Sequence, residues 1–172
     1  MRVAVTGTPG TGKTTAVERL ESDHHIGLSV VHLNEVIREE GLTTGHDEER
    51  DSAIADLDAV ADYLEGKEDV LVESHLAHHV DADRVVVLRC HPEQLHDRLS
   101  ERGEAAAKAD ENAESEALDV VLTEAVNRHG EDAVYEIDTT DRTPADVAAA
   151  IEAVVTGERE PSAGTVSFVD YL

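Results

Sequence analysis

Aromatic residues, cysteine and lysine are all scarce in this chain. There is no Trp, one Phe and three Tyr among 172 residues, so a core has to be built from Val, Leu, Ile and Ala. Cys90 is the single cysteine, which excludes an intrachain disulfide and a Cys-based zinc site. Lysine occurs at Lys13, Lys67 and Lys108 only, and 14 Lys plus Arg stand against 39 Asp plus Glu, a formal net charge of −25. That balance excludes a broad basic face for nucleic acid, while leaving room for a local arginine pocket for phosphates. No apolar run is long enough to span a membrane, and Met1 leads straight into a strand-like run with no signal peptide. The expectation is a soluble, cytoplasmic protein.

The acidic residues are spread along the chain and interleaved with apolar positions rather than gathered in a tail. A regular apolar period argues for a folded protein with an acidic surface, suited to concentrated salt, where the Debye length shrinks to ~3 Å at about 1 M. The expectation is therefore a halophilic protein. The length suits one domain.

Strand and helix patterns alternate. Arg2 to Thr6 reads as a strand running into a glycine loop, with a helix from Lys13 to about Glu21. Ser29 to Leu33 is a second short apolar run, followed by a helix over Asn34 to Glu40. Leu57, Val60, Ala61 and Leu64 mark one helical face. Val70 to Val72 and Val85 to Leu88 are β-branched runs of the kind buried on both sides of a parallel sheet. A helix from Pro92 through Leu99, a helical stripe at Leu118, Val121, Leu122 and Ala125, and a strand from Val134 to Ile137 follow. Thr143-Pro144-Ala145-Asp146 supplies an N-cap, a first-turn proline and a capping-box acid for the last helix. These elements predict a three-layer α/β/α fold around a five-stranded parallel sheet. Two polar stretches, Gly41 to Ser52 and Arg102 to Asn112, lack a core-building period and read as loops. From Gly157 onward a tail ends in Phe168-Val169-Asp170-Tyr171-Leu172, free to dock on the domain or on a partner.

Gly7-Thr8-Pro9-Gly10-Thr11-Gly12-Lys13-Thr14 satisfies G-x-x-x-x-G-K-[ST] in full, between a strand and a helix. The glycines let backbone N–H groups turn inward around phosphate oxygens, and the helix adds its positive end. Gly10, Gly12, Lys13, Thr14 and Thr15 are thereby expected to bind ATP. Lys13 reaches the β- and γ-phosphates and Thr14 offers a hydroxyl to Mg²⁺. The chain carries neither D-x-x-G nor N-K-x-D in the order a regulatory GTPase needs, which leaves small-molecule kinases and small ATPases.

Further motifs occur in one order. GTPGTGKTT is followed by REE, by a G-x-DEE-x-D run at Gly45 to Asp51, by Glu73-Ser74-His75 after the Val70 run, and by RLSERG after VVVLR. Together they resemble the small nuclear-type adenylate kinases and their archaeal counterparts (the isoenzyme-six-like group), a family also linked to small ribosomal subunit and rRNA maturation. The likeness covers roughly residues 1–155. It implies a kinase domain over residues 1–156, with a monophosphate-binding segment at about 32–55, a lid at about 101–112, and residues 157–172 as a C-terminal tail.

The resemblance implies ATP and AMP as substrates and Mg²⁺ as the metal. Arg38 is the candidate grip on the AMP phosphate, its planar fork suited to bidentate contact. Asp47, Glu48, Glu49 and Asp51 are read chiefly as a solvated loop. Glu73 takes the place of a Walker-B-type carboxylate, often Asp in such proteins. Its extra methylene leaves direct and water-mediated contact with Mg²⁺ both open. His75 matches a histidine thought to orient water or substrate. Arg102 resembles the lid arginine on ATP, with Arg98 its neighbour on the same helical face, and Arg89 is a weaker candidate facing the nucleotide. His24, His25, His78 and His79 match nothing and are read as surface residues. The implied activity is reversible phosphoryl transfer from ATP to AMP, with intrinsic ATP hydrolysis alongside. The rival is a ribosome-assembly ATPase acting through a small-subunit ribosomal protein.

Overall fold

A computed structural model describes residues 1–49 and 52–172. Five strands form one sheet: β1 (Arg2–Thr6), β2 (Ser29–His32), β5 (Val70–Glu73), β6 (Arg84–Arg89) and β7 (Val134–Asp138). Their order across the sheet is β2-β5-β1-β6-β7, and every pairing is parallel. The five-stranded parallel sheet anticipated from the β-branched runs is present. β1 lies at its centre, where the order reverses, and in open parallel sheets such a switch point places the binding crevice at the carboxyl ends of the strands.

The period of two along β1 divides the core. Val3 and Val5 face one layer, where α1 (Lys13–Asp23) and α7 (Pro144–Thr156) bury Val17, Leu20, Ile151 and Val154. Ala4 faces the other, where α2 (Leu33–Glu40), α3 (Leu57–Leu64) and α6 (Val120–His129) bury Leu33, Val60, Leu64 and Leu122. Each fully buried Leu, Val or Ile contributes roughly 1.5–3 kcal/mol by transfer from water, so aliphatic side chains suffice where aromatics are missing. A smaller cluster of Cys90, Leu95, Leu99 and Ala109 joins α4 (Pro92–Glu101) to α5 (Ala106–Ala117).

Caps set several helix starts. Thr143 Oγ1 accepts from the Asp146 amide at 3.1 Å, with Pro144 in the first turn, as the sequence predicts. Asp56 caps α3 through the Ala59 amide.

Both polar stretches are more ordered than their composition suggests. Thr43–Asp47 (β3) and Ser52–Ala55 (β4) pair antiparallel as a two-stranded sheet. The expected loop is therefore a hairpin, held by backbone hydrogen bonds while its residues remain mostly exposed. Asp51 lies outside the described residues. The second stretch is helical from Ala106 onward, because Ala109 and Ala113 give α5 a narrow buried face. Leu118 does not belong to the α6 stripe. It sits exposed at the α5–α6 junction, where Asp119 has a positive φ of 55°. Among the described residues no helix is long and apolar enough to cross a membrane.

The tail docks on the domain. Ser162 N donates to Val134 O at 3.0 Å, and the Thr165 amide donates to Glu136 Oε2 at 2.7 Å. Phe168 lies over the Arg89 guanidinium, 5.4 Å from ring centre to carbon, and meets His91 edge-on.

Candidate active site

The loop between β1 and α1 crosses the carboxyl edge of the sheet. Gly7 has φ 148°, and a Cβ there would lie 2.6 Å from Leu88 O, so the turn out of β1 admits glycine alone. Gly10, at φ 95°, lies against Leu95 and Leu99 of α4. Thr11 Oγ1 donates to Thr8 O at 2.9 Å and closes the arch. Lys13 bends back into it, its Nζ donating to Gly7 O at 2.9 Å and Thr8 O at 3.2 Å. Burial pushes the Lys13 ammonium down to about 8, against the pull of Glu73 and Glu116, and the Arg102 charge adds to the fall. Thr14 and Thr15 are exposed on the first turn of α1.

On the β7 side of the loop lies a cavity of about 420 Å³. Gly10, Gly12 and Thr15 line it together with Arg98 and Arg102 at the end of α4 and Thr139, Arg142, Pro144 and Val147 after β7. Arg98 holds its place through Gln94 Oε1 at 2.8 Å and Gly10 O at 3.3 Å. Arg102 caps the end of α4 and is exposed. Thr139 and Arg142 follow β7 in a polar turn without a motif, and only position past a strand's carboxyl end points to them.

On the β5 side, Glu73 ends its strand next to Val5 and is buried. Its Oε1 lies 3.1 Å from His32 Nδ1. Burial works against a charge on His32, yet the hydrogen bond and charge of Glu73, with Glu21, raise its pKa overall. His75 is half-buried, and desolvation first, then the Lys13 charge, lowers it to about 4. Asn34 links to this corner, accepting from Ser74 Oγ at 2.6 Å, with its Nδ2 3.4 Å from His75 Nδ1. His32, Asn34 and Ser74 carried no sequence signal by themselves. Arg38 stands exposed on the last turn of α2, ahead of the β3–β4 hairpin. The loop, Glu73 and His75 are thus brought together at the centre, with Arg98 and Arg102 on one flank and Arg38 toward the other.

Two readings are corrected. Arg89 does not face a nucleotide. It is buried at the end of β6 and binds Glu116 Oε1 at 2.8 Å, Asp119 Oδ1 at 2.5 Å and Glu136 Oε1 at 2.6 Å. Burial opposes its charge, but the Glu116 charge and the three hydrogen bonds raise its pKa all the same. Acids brought from far along the chain consume its donors. His78 is not a surface residue either. It is buried beneath β1, with Nδ1 2.7 Å from Thr6 Oγ1 and Nε2 2.7 Å from Glu124 Oε2. Its two polar atoms are met on either side, which is what permits burial.

A strand, a complete phosphate-type loop and a helix at the switch point of a parallel sheet define a P-loop kinase fold. A family model described as an AAA domain matches residues 3–119. A protein of Natronomonas pharaonis named "Putative adenylate kinase" is 67% identical over 172 residues, covering 100% of both chains. The chain belongs to the archaeal small adenylate kinase family. Among solved structures, a shikimate kinase from Acinetobacter baumannii shares the fold, with a TM-score of 0.61 and 18% identity over 92% of this chain and 94% of that one. A deoxyadenosine kinase from M. mycoides does so with a TM-score of 0.59 and 15% identity, over 92% and 100%. Membership and fold together make the chain a nucleotide kinase.

Proposed function

We propose that the protein is an adenylate kinase, transferring the γ-phosphoryl group of ATP to AMP to give two ADP. The observation that carries this reading is the placement of the P-loop between two unlike flanks. A cavity of about 420 Å³ lies toward β7, and the Glu73–His75–Asn34 corner with α2 lies toward β2. The first suits a purine nucleotide whose phosphates run into the loop. The second suits an acceptor whose phosphate Arg38 would hold.

In this reading Gly10, Gly12, Lys13, Thr14, Thr15, Arg98 and Arg102 bind ATP, and Arg38 binds AMP. Residues 32–55 act as the monophosphate-binding segment and 101–112 as the lid of a kinase domain spanning residues 1–156. An AMP phosphate oxygen attacks the γ-phosphorus as the bond to the β-bridging oxygen breaks, a displacement that needs no strong base. The work of the chain is positioning and charge neutralisation by Lys13, Arg38 and Arg102. His75, neutral at pH 7, serves as a hydrogen-bonding group. Thr14 and Glu73 offer a hydroxyl and a carboxylate, hard oxygen donors that fit Mg²⁺, and would hold it. One oxygen of Glu73 is already engaged by His32, leaving the other for the metal or its water. The bound ion would offset negative charge on the β- and γ-phosphates.

Incubation of the purified protein with Mg-ATP in molar KCl, with and without AMP, tests the assignment. ADP formation that rises on AMP addition without matching phosphate release is expected. Phosphate release indifferent to AMP, CMP, GMP or UMP would transfer the assignment to an assembly ATPase with a ribosomal-protein partner. The −25 net charge, attractive to a basic protein, is the observation that keeps that reading in view.

A further inference from the structure

Glu116, the next-to-last residue of α5, is almost fully buried although it is a carboxylate. Its two oxygens serve different parts of the molecule. Oε1 accepts from Arg89 Nε at 2.8 Å and from the Cys90 amide at 3.0 Å, both at the end of β6. Oε2 accepts from Thr8 Oγ1 at 2.6 Å, inside the phosphate loop and 108 residues away in sequence. Thr8 is itself buried, and its carbonyl accepts from both Thr11 Oγ1 and Lys13 Nζ.

A plain structural ion pair would account for Arg89, but Arg89 is already met by Asp119 at 2.5 Å and Glu136 at 2.6 Å. Glu116 is the foremost of the three in holding that charge, yet the other two carboxylates already outnumber the single cation, and burying a third there is costly unless that group has another task. The hydrogen bond to Thr8 is that task, since it ties the loop to a helix that begins within the lid segment. α5 starts at Ala106 and carries Lys108 in its first turn, so its two ends belong to the lid and to the phosphate loop.

We propose that Glu116 is a positioning residue for the phosphate loop, holding Thr8 so that the seating of helix α5 sets the shape of the arch in which Lys13 rests. Glu116 touches no substrate. It acts through the Thr8 hydroxyl, and the Thr8 peptide in turn presents its carbonyl to Lys13. The inference rests on the P-loop kinase reading and needs no particular acceptor, because it concerns the loop that receives ATP.

The test compares Glu116→Gln, Thr8→Val, Thr8→Ser and the Glu116→Gln/Thr8→Val pair. Each is assayed for kcat, KM for ATP, KM for AMP, thermal midpoint, and binding of a fluorescent ATP analogue with Mg²⁺. Glu116→Gln and Thr8→Val should each lower kcat/KM for ATP by about tenfold or more, since small misplacements at a reacting centre are expensive in rate, and leave KM for AMP unchanged. Thr8→Ser, which keeps the hydroxyl, should restore what Thr8→Val loses. The double variant should be no worse than the poorer single one. Thr8→Val matching the wild type, or deficits that multiply in the double variant, would overturn the proposal. If Glu116→Gln fails to fold, the Thr8→Val and Thr8→Ser pair decides alone. If wild-type protein transfers no phosphate to AMP, the kinase assignment fails. Analogue binding then still decides this inference, weakened in Thr8→Val and restored in Thr8→Ser if it holds, and equal in both if it does not.

Discussion

The Lys13 ammonium donates to the Gly7 carbonyl across 2.9 Å, so the loop's cation rests on the loop's own backbone. Burial depresses this group to about 8, against the pull of Glu73 and Glu116.

On the role proposed for Lys13, replacing it by Met should reduce phosphoryl transfer by about a thousandfold or more. The same variant reports on stability. The folded pKa lies below the ordinary 10.5, so the unfolded chain binds more protons between those values, and wild-type stability rises with pH there. Denaturation at pH 8 and pH 10 should show wild type gaining about 2 kcal/mol relative to Lys13→Met. Parallel pH curves for the two proteins would mean that Lys13 is not held as described.

The two histidines beside Glu73 should respond to pH with opposite sign. The folded pKa of His32 is raised above 6.5, so its contribution is complete below pH 6.5 and fades as pH climbs through the raised value. His75 is lowered to about 4, so its folded, neutral form is favoured above pH 6.5 and stability is lost as pH falls toward 4. Urea titrations of His32→Gln and His75→Gln from pH 4 to pH 8 separate them. His75→Gln should remove about 2 kcal/mol of acid sensitivity, allowing for screening at a half-buried site. His32→Gln should flatten the loss above pH 6.5.

Three arginines should divide the kinetic constants between them. Arg38→Ala is expected to raise KM for AMP by about tenfold, with KM for ATP little changed. Arg98→Ala, which removes the residue seated on Gly10 O, should act mainly on KM for ATP. Arg102→Ala should lower kcat by about a hundredfold on the charge-neutralising role proposed for it. Initial rates over an ATP by AMP grid distinguish these outcomes, and an Arg38 variant defective only toward ATP would move that residue out of the acceptor site.

The net charge of −25 predicts a salt requirement. Mutual repulsion across the surface should lower the melting temperature at about 0.1 M KCl and be screened at about 2 M. Calorimetry at both concentrations checks this, together with recovery of the folded signal when KCl is restored. A melting temperature independent of KCl would sever the link between acidity and salt.

What the sequence made legible follows from where the physics is local. Gly7 to Thr14 could be read because backbone geometry demands those glycines, and Val85 to Leu88 because a strand buried on both faces has little choice of residue. Thr43 to Asp47 could not, since a polar hairpin leaves no apolar alternation and is held by hydrogen bonds between strands. Arg89 and His78 were misread for a shared reason. Their partners, Glu116, Glu136, Thr6 and Glu124, are distant in sequence, and a charged or polar residue is assigned to solvent until its counterpart is known. The part of the cavity lining formed by Thr139 and Arg142 carried no motif, because it lies in a polar turn marked only by its position after β7.

The place of β1 in the middle of the sheet bears on how the chain reaches this state. Arg2 pairs in register with Val70, and Val3 with Arg84, so the central strand finds neither neighbour until long loops have closed. Pairing across such separations makes folding slow relative to helix formation, and leaves Val3, Ala4 and Val5 without cover in the meantime. The arrangement that puts the phosphate loop at the heart of the molecule thus also makes the nascent chain dependent on its later-made segments, and most open to wrong association before they arrive.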